Sequence, residues 1–437
     1  MSREALKSYL LIAMVGLSVV LTTYLVVGTA NEHPPIDQGF ESVYVGRVPD
    51  YNDLVVPWQT VITSGKEEGR LLNPNVDSYY FLVENIIDSL SFDGLRVNWV
   101  MSGIDLNELK SEGVFLNYGH WDSSVGFDLT STPLGEEYLP YPEIHAVYFN
   151  ADSQRIAVFN YELGAMWTQQ AHFNTDYVTE LIEEVERQDR TLVYPLDLNK
   201  SDGIVFAPHG RQEMLRLIIS PRETDLSALK QSFFPALTAR EIQEKDGSTI
   251  VTDGVSGLRI YPDDVFEYTS TKESSGPVYL PVRENLEIAI DFIGKHGGWP
   301  ARSSYLRRVN KVDAFHSEVQ LDFGYYAYGY PLVADDSSIE VTLQGGKVTR
   351  YYRNTVSPVN LEVESVNRNV INYLFALNIA EREEVGRVRK MYLAYHLGTK
   401  KDGVLDPVWV IKGEHKNIYI QGYTGDIVEI SAVQGGA

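Results

Sequence analysis

One histidine and one glutamate have the spacing of a metal-binding pair. His209 and Glu213 are four residues apart, which would place both side chains on one face of a helix. They follow Pro208 and precede a strand-like run, and no third ligand lies nearby in the sequence. A zinc site needs at least three protein ligands. We therefore interpret this pair as surface residues and predict no metal site.

A second candidate is a calcium-binding loop that would begin at Asp197. Asp197, Asn199 and Ser201 match the first three ligand positions of such a loop. The sixth position is Asp202 where the loop requires glycine, and the twelfth is Pro208 where it requires glutamate. The sequence therefore does not predict calcium binding.

Nucleophile and cofactor motifs are also incomplete. The run that begins at Gly254 lacks the spacing of a nucleophile elbow, and we expect Ser256 to tighten a turn. The chain has no cysteine for thiol chemistry and no phosphate-binding loop or dinucleotide fingerprint. We predict a protein that is not an enzyme and that uses no cofactor.

A function in glycan binding or hydrolysis stays open as the alternative. The chain has 60 acidic residues, and the separation that would make two of them a glycosidase pair is spatial. One strand-like run is also rich in rings that could stack on a glycan or a protein. Its aromatic residues are Phe323, Tyr325, Tyr326, Tyr328 and Tyr330. In the competing interpretation, the same rings fill the core and edge of a sheet.

The elements that must position these residues follow from the periodicity of the sequence. Helical spacing of apolar residues alternates with short runs of strand type, which predicts an α+β fold with antiparallel sheets. Asn73 would cap the first helix, with Pro74 in its first turn. The helices are predicted at residues 74–90, 174–188, 225–234, 282–298 and 364–377.

Breaks in composition divide this pattern into about three α+β modules. Proline, glycine and polar residues cluster after residue 193, and a low-structure segment precedes Pro281. We expect an N-terminal module at 39–193, a middle module at 194–277 and a C-terminal module at 278–437.

An uncharged apolar run at the N-terminus predicts a single membrane anchor. Residues 9–27 are long enough, at about 1.5 Å per residue, to cross a hydrocarbon core of roughly 30 Å. A leader at 1–8 precedes the predicted transmembrane helix, and a polar tether at 28–38 follows it. A cleaved signal peptide, with cleavage after Ala30, is the other interpretation of this run.

The charges beside the apolar run predict its orientation. Arg3 and Lys7 precede it, while the eight residues after it contain no lysine or arginine. The positive-inside rule then places the N-terminus in the cytoplasm and the bulk of the chain outside the cell membrane. With a net charge of −23, the chain is a poor partner for nucleic acid and anionic lipid.

One face of the predicted transmembrane helix carries two hydroxyl groups. Spacings of three and four residues bring Leu11, Val15, Ser18 and Thr22 to this face. Small hydroxyl residues allow a neighbouring helix to pack closely or to form hydrogen bonds, so we predict a partner-binding face here. Hydrogen bonds from the two hydroxyls to carbonyls of their own helix are the competing interpretation.

Several motifs together resemble the YycH (WalH) family. The anchor, the segment 233–268 and the segment 329–354 occur in the order found in that family. The C-terminal segment 406–430 also resembles a strand and hairpin shared by the companion YycI family and PepSY-type modules. The matching middle-segment residues are Phe233, Phe234, Pro235, Arg240, Ile242, Thr252, Asp253, Gly254, Gly257 and Leu258.

The resemblance implies a regulator of Gram-positive bacteria. Members of the family are single-pass membrane proteins that, with YycI, adjust the sensor histidine kinase YycG (WalK), which controls cell-wall metabolism. The contact is implied to run substantially through the transmembrane helices. A PepSY-like inhibitor of an extracellular protease is a weaker possibility from the same likeness.

Overall fold

Two large sheets, built almost wholly of antiparallel strands, dominate the computed structural model. The residues that it describes are 47–73, 77–92, 98–119, 144–188, 190–219, 225–234, 239–262, 265–271, 280–299, 304–313, 318–333, 339–354, 361–363, 368–397 and 403–433. Within these ranges, no helix combines the length and apolar character needed to span a membrane. The predicted leader, transmembrane helix and tether lie outside the described residues.

The first sheet has nine antiparallel strands. They are β1 (Gln59–Ser64), β2 (Gly69–Leu72), β3 (Val100–Gly103), β4 (Glu112–Asn117), β5 (Ala146–Asn150), β6 (Arg155–Asn160), β7 (Ala165–Gln170), β8 (Leu192–Pro195) and β9 (Phe206–Pro208). Their order across the sheet is β3-β7-β6-β5-β4-β1-β2-β8-β9. The neighbours β4 to β7 are consecutive in sequence, so this half of the sheet is a simple meander.

Helices cover one face of the first sheet. These are α2 (Tyr80–Asp88) and α3 (Thr175–Arg187), and the short helix α1 (Tyr51–Leu54) precedes them in the chain. The Asn174 side chain caps α3 by accepting from Asp176 N, which satisfies one of the unpaired N–H groups of a helix start. Val178 and Leu181 of α3 are fully buried, and burial of each such side chain stabilises the fold by about 1.5–3 kcal/mol.

The second sheet has fifteen strands. They are β11 (Leu217–Ile219), β12 (Arg240–Gln243), β13 (Thr249–Thr252), β14 (Ser256–Ile260), β15 (Val265–Ser270), β16 (Ser304–Asp313), β17 (Glu318–Ala327), β18 (Tyr330–Val333), β19 (Ile339–Gln344), β20 (Lys347–Asn354), β21 (Leu361–Val363), β23 (Val388–Leu397), β24 (Val404–Gly413), β25 (Lys416–Gln421) and β26 (Ile427–Ala432). A separate ladder joins β10 (Gln212–Met214) to β22 (Arg368–Val370). Among the described strands, only β18 and β23 pair in parallel.

Three helices pack with the second sheet around the largest core of the described residues. They are α4 (Leu226–Phe233), α5 (Val282–Lys295) and α6 (Tyr373–Arg382). Trp409 of β24 lies at the centre, fully buried, and its indole N–H donates to Ile371 O at 2.9 Å. This bond lets the core hold a large ring without leaving its polar group unpaired.

A cluster of rings joins α4 to α5 and gives one of the resemblance motifs a structural role. The ring of Phe233 lies 4.5 Å from that of His296 and 4.8 Å from that of Tyr268, centroid to centroid. His296 also stacks on Phe292 at 4.1 Å, and its Nδ1 lies 2.8 Å from Phe292 O. Phe233 therefore closes a half-buried aromatic layer.

The predicted α+β class with antiparallel sheets is confirmed, and the helices predicted at 174–188, 225–234 and 282–298 are found. The first helix begins at Tyr80, later than the predicted start at residue 74. The predicted cap at Asn73 is therefore wrong. Asn73 N instead donates to the carboxylate of Asp77 at 2.6 Å, and its amide donates to Gly329 O.

The helix predicted at 364–377 is also wrong in its first half. Arg368–Val370 forms strand β22, because it pairs with Gln212–Met214 from a distant part of the sequence. The helix begins at Tyr373, where the Asn372 side chain accepts from Phe375 N at 2.9 Å and caps it. In this segment, pairing with a distant strand outweighs the helical spacing of the apolar residues.

Strand pairing connects the predicted middle and C-terminal modules. β15, from the middle module, pairs along its length with β20, from the C-terminal module. The predicted boundary at residue 193 falls inside β8, which belongs to the first sheet. The division into three modules stays a prediction.

A short junction at the start of β23 joins the first sheet to the second. Val388 N donates to Lys200 O, and Asp202 N donates to Val388 O, both at 2.8 Å. The carboxylate of Asp202 lies 3.1 Å from Arg389 Nε and 3.6 Å from the guanidinium of Arg387. Backbone bonds and ion pairs together fix the position of β23 against the first sheet.

The half-buried imidazole of His296 predicts acid sensitivity of the fold. Burial lowers its pKa below the ordinary value of 6.5, and Lys295 adds to this while the bond to Phe292 opposes it. The unfolded chain then binds the proton more readily, so stability is retained above pH 6.5 and lost as the pH falls below it.

We expect His296→Phe, which keeps a ring but cannot titrate, to reduce the loss of unfolding free energy between pH 7 and pH 5. Chemical denaturation at each pH measures this. An equal slope in wild type and His296→Phe would contradict the assignment.

Candidate functional site

A cleft of about 120 Å³ lies where the two sheets meet, and it is the candidate site. The first sheet contributes the segment that enters β1 and the end of β2. The second sheet contributes β16, the turn between β17 and β18, and the facing parts of β23 and β24. Its lining includes Trp58, Asn73, Tyr305, Tyr326, Tyr330 and Tyr392.

Aromatic rings form much of the cleft wall. The ring of Trp58 lies 6.1 Å from that of Tyr392, and the ring of Tyr305 lies 4.5 Å from that of Tyr326. Both pairs are tilted, and ring pairs at such separations attract each other beyond their burial. This part of the wall is therefore apolar and presents ring faces and edges.

The turn between β17 and β18 positions one end of the cleft. Tyr328 and Gly329 both have positive φ, of 49° and 82°. Glycine tolerates this conformation without strain, whereas tyrosine adopts it at a cost. Asn73 donates its side-chain N–H to Gly329 O, so the end of β2 is bonded directly to this turn.

One polar atom in the wall lacks a partner. Trp58 Nε1 is buried and makes no hydrogen bond. A buried donor left unpaired costs about 1–3 kcal/mol. The indole N–H is therefore available to an acceptor that enters the cleft.

The tyrosines of the cleft are neutral at physiological pH. Burial raises the pKa of Tyr305 to about 12, and burial also raises the pKa values of Tyr326 and Tyr392 well above the usual value of 10.0. Their hydroxyls act as hydrogen-bonding groups, and they do not exchange protons near neutral pH. The described residues contain no cluster of three metal-ligating side chains.

The predicted aromatic strand is divided between the core and this cleft. Phe323 and Tyr325 are buried in the main core, with exposed fractions of 0% and 1%. Tyr326 and Tyr330 line the cleft, and only Tyr328 is exposed, at the turn. Residues 318–333 therefore present no open aromatic face of the kind that glycan stacking along this strand requires. The interpretation that the rings fill the core of the sheet accounts for Phe323 and Tyr325.

His209 and Glu213, the pair with metal-binding spacing, contact other residues of the fold. His209 lies between the rings of Tyr194 and Tyr373, at 4.8 Å and 6.2 Å. Glu213 pairs with Arg211 at 3.0 Å.

The calcium-like segment also forms structure of its own. Asp197 Oδ1 accepts from Asn199 N at 2.9 Å, and Ser201 Oγ donates to Asp197 O, which closes a turn. The turn leads into Asp202, so this segment serves the junction between the sheets. The predicted partner-binding residues Leu11, Val15, Ser18 and Thr22 lie outside the described residues.

No family model and no curated sequence matches the chain. Among solved structures, the crystal structure of YycH from Bacillus subtilis is similar, with a TM-score of 0.64 over 86% of this chain and 98% of that one. The chain has the YycH fold. The sequence identity of 12% means that this likeness establishes the fold alone.

A second structure, the C-terminal domain of YpeB from Bacillus megaterium, aligns with 49% of this chain and 99% of its own. Its sequence identity is 14% and its TM-score is 0.33, which is too low to establish a common fold.

Sequence reasoning missed the cleft of this YycH fold. Its wall combines Trp58, Asn73, Tyr305, Tyr326 and Tyr392, which are spread over more than three hundred positions. Only the residues of the aromatic strand gave a local signal. The rest meet because β23 docks against the first sheet, and a single sequence carries no trace of that contact.

Gly119 tests the packing of the cleft wall. A Cβ at this position would lie 2.8 Å from Trp58 Nε1 and 2.5 Å from Lys390 Cε, and its φ is +74°. We expect Gly119→Ala to destabilise the protein by about 1–3 kcal/mol through strain, and to shift the indole fluorescence by displacing Trp58.

Gly254→Ala is the matched control, because its φ is +93° and a Cβ there meets nothing within 4 Å. It should cost stability without the fluorescence shift. The same shift in both variants, or in neither, would show that Gly119 does not pack on the indole.

Proposed function

We propose that the chain is a membrane-anchored extracytoplasmic regulator that, with a YycI-like partner, modulates a sensor histidine kinase of the YycG (WalK) type and so controls cell-wall metabolism. The observation that carries the proposal is the fold likeness, which extends over 98% of the solved YycH chain. The likeness also extends over 86% of this chain.

The N-terminal sequence supports the anchoring part of the proposal. Residues 9–27 carry no charge and have the length of a transmembrane helix. Arg3 and Lys7 favour a cytoplasmic N-terminus, which puts both sheets on the outer side. A regulator of a membrane kinase needs both features.

Several polar residues form ion pairs and hydrogen bonds within the fold, and these contacts support a role without catalysis. Asp322 is fully buried and accepts from Arg308 Nε at 2.7 Å, while Asp202 holds Arg389 at the junction. Arg350 likewise lies between Glu267 and Glu340, at 2.6 Å and 3.3 Å. These carboxylates stabilise strand pairs and junctions of the fold.

The contact with the kinase is proposed to run through the face of Leu11, Val15, Ser18 and Thr22. Helices in a membrane gain no hydrophobic free energy from association, so small and hydroxyl-bearing residues at close contacts provide the attraction. The proposal predicts that residues 9–27 must stay attached to the rest of the chain, without cleavage, for the protein to be active.

Co-purification tests the proposal. The tagged full-length chain, produced with a YycI-like protein and a YycG-type kinase, should recover both from detergent. We expect Thr22→Val to reduce kinase recovery about threefold or more, because it removes a hydroxyl from the contact face at unchanged size.

Thr23→Val is the matched control, since its position lies off the predicted face. It should recover the kinase as wild type does. Failure of the wild-type chain to capture either protein would refute the proposed function, and equal losses in both variants would refute the predicted face.

A further inference from the structure

β26 lies at an open edge of the second sheet. Among the described strands it pairs only with β25, so no described strand lies on its other side. An open edge pairs readily with a strand of another chain, and natural edge strands are commonly protected by charged residues or proline. β26 has six residues, of which Glu429 is the single charged one, and it contains no proline. Its sequence therefore gives the edge little protection.

The main-chain groups of this edge have a defined direction. Val433 N donates to His415 O at 3.1 Å. Residues of an antiparallel strand alternate between bonding to the neighbour on one side and bonding to the neighbour on the other. The N–H and C=O groups of Ile430 and Ala432 therefore point away from β25. The pairing with β25 is regular from Glu429 to Ala432, since its one irregularity precedes Glu429.

One face of the edge is apolar and exposed. Ile430 is the cross-strand partner of Ile418, and Ile427 is that of Ile420. Cross-strand partners point to the same face of a sheet, and Ile418 and Ile420 are fully buried in the main core. Ile427 and Ile430 continue this core face to the edge, where each is 42% exposed.

Exposed apolar residues continue from the edge strand to the helix beside it. A Cβ at Gly425 would lie 2.8 Å from Phe375 Cε1, so the ring of Phe375 lies against the turn that enters β26. Phe375 and its neighbour Leu374, in the first turn of α6, are both more than half exposed. Contiguous exposed apolar residues mark interaction sites on soluble domains.

The single charge of β26 lies on the opposite face. Glu429 is the cross-strand partner of Tyr419, and its carboxylate lies 4.0 Å from His396 Nε2. A strand that pairs with β26 therefore needs apolar side chains on one face and no carboxylate opposite Glu429 on the other.

A second copy of β26 meets both requirements. When two copies run antiparallel with Ile430 opposite Ile430, their outward main-chain groups meet as a hydrogen-bonded pair. Val428 then lies opposite Ala432 of the second copy on the apolar face. Glu429 lies opposite Ser431 of the second copy, so a carboxylate meets a hydroxyl and no like charges are directly opposed.

We propose that two copies of this chain dimerise by pairing their β26 strands antiparallel about Ile430, so that the two second sheets form one continuous sheet. The pairing is two-fold symmetric and therefore closes at a dimer. This contact goes beyond the proposed function, because it needs no kinase and no YycI-like partner.

Cross-linking tests the register, because the chain has no cysteine and a single thiol can be introduced. Ile430→Cys should give a disulfide-linked dimer of the full-length chain in detergent under mild oxidation. The two Cα atoms of such a pair lie about 5.5 Å apart, which is within the range of a disulfide.

Ile242→Cys is the matched control. Ile242 is 51% exposed on β12, the strand at the opposite edge of the same sheet. This variant should remain free of disulfide-linked dimer. Equal cross-linking in the two variants, or no cross-link in Ile430→Cys, would overturn the proposal.

Sedimentation equilibrium of the full-length chain in detergent measures the affinity, in about 0.15 M salt to screen the repulsion between two acidic chains. Wild type should form a dimer. Ile430→Lys should raise the dimer dissociation constant about tenfold or more, because it opposes two ammonium groups and removes two apolar side chains from the contact. Ile242→Lys should dimerise as wild type does.

Three results would overturn the proposed dimer. The first is a wild type that stays monomeric or forms assemblies larger than a dimer. The second is an equal dissociation constant in wild type and Ile430→Lys, which would place the contact elsewhere. The third is a cross-link from Ile430→Cys to the YycI-like protein alone when the two are produced together, since a different chain would then cover this edge.

Discussion

The two backbone hydrogen bonds at Val388 join the two sheets where β23 begins, and β23 lines the cleft. They fix β23 in one register against the segment of Lys200 and Asp202. Side chains alternate along a strand, so a slip of one residue would turn Lys390 and Tyr392 away from the first sheet. The ion pairs of Asp202 make such a slip costly, because the carboxylate is mostly buried and would lose its partners.

The same junction gives polar residues with suggestive spacing a structural role. Asp197 and Ser201 resemble the start of a calcium loop, and in the fold they close the turn that presents Asp202 to Arg389. His209 is likewise held between two tyrosine rings. The spacing of these residues in the sequence reflects a constraint, and that constraint is the role of the residues in the fold.

Local periodicity predicted the elements that local interactions stabilise. Helix α3 was predicted within one residue at each end, because an asparagine cap and a strong apolar stripe define it. The predicted helix at 364–377 failed because Arg368–Val370 pairs with a strand more than 150 positions earlier. The first helix began later than predicted because Asn73 bonds across the cleft to Gly329 O. Both errors arise from long-range contacts, and the cleft itself is assembled wholly from such contacts.

The proposed function needs two parts of the chain, a body with the YycH fold that is proposed to lie outside the cell and a predicted helix face within the membrane. The direct measurement is photo-crosslinking to the kinase from reactive residues placed singly at each position from Leu10 to Val26. The account predicts kinase adducts that recur every three to four positions and are strongest at Leu11, Val15, Ser18 and Thr22. Uniform labelling along the helix, or no kinase adduct at any position, would contradict it.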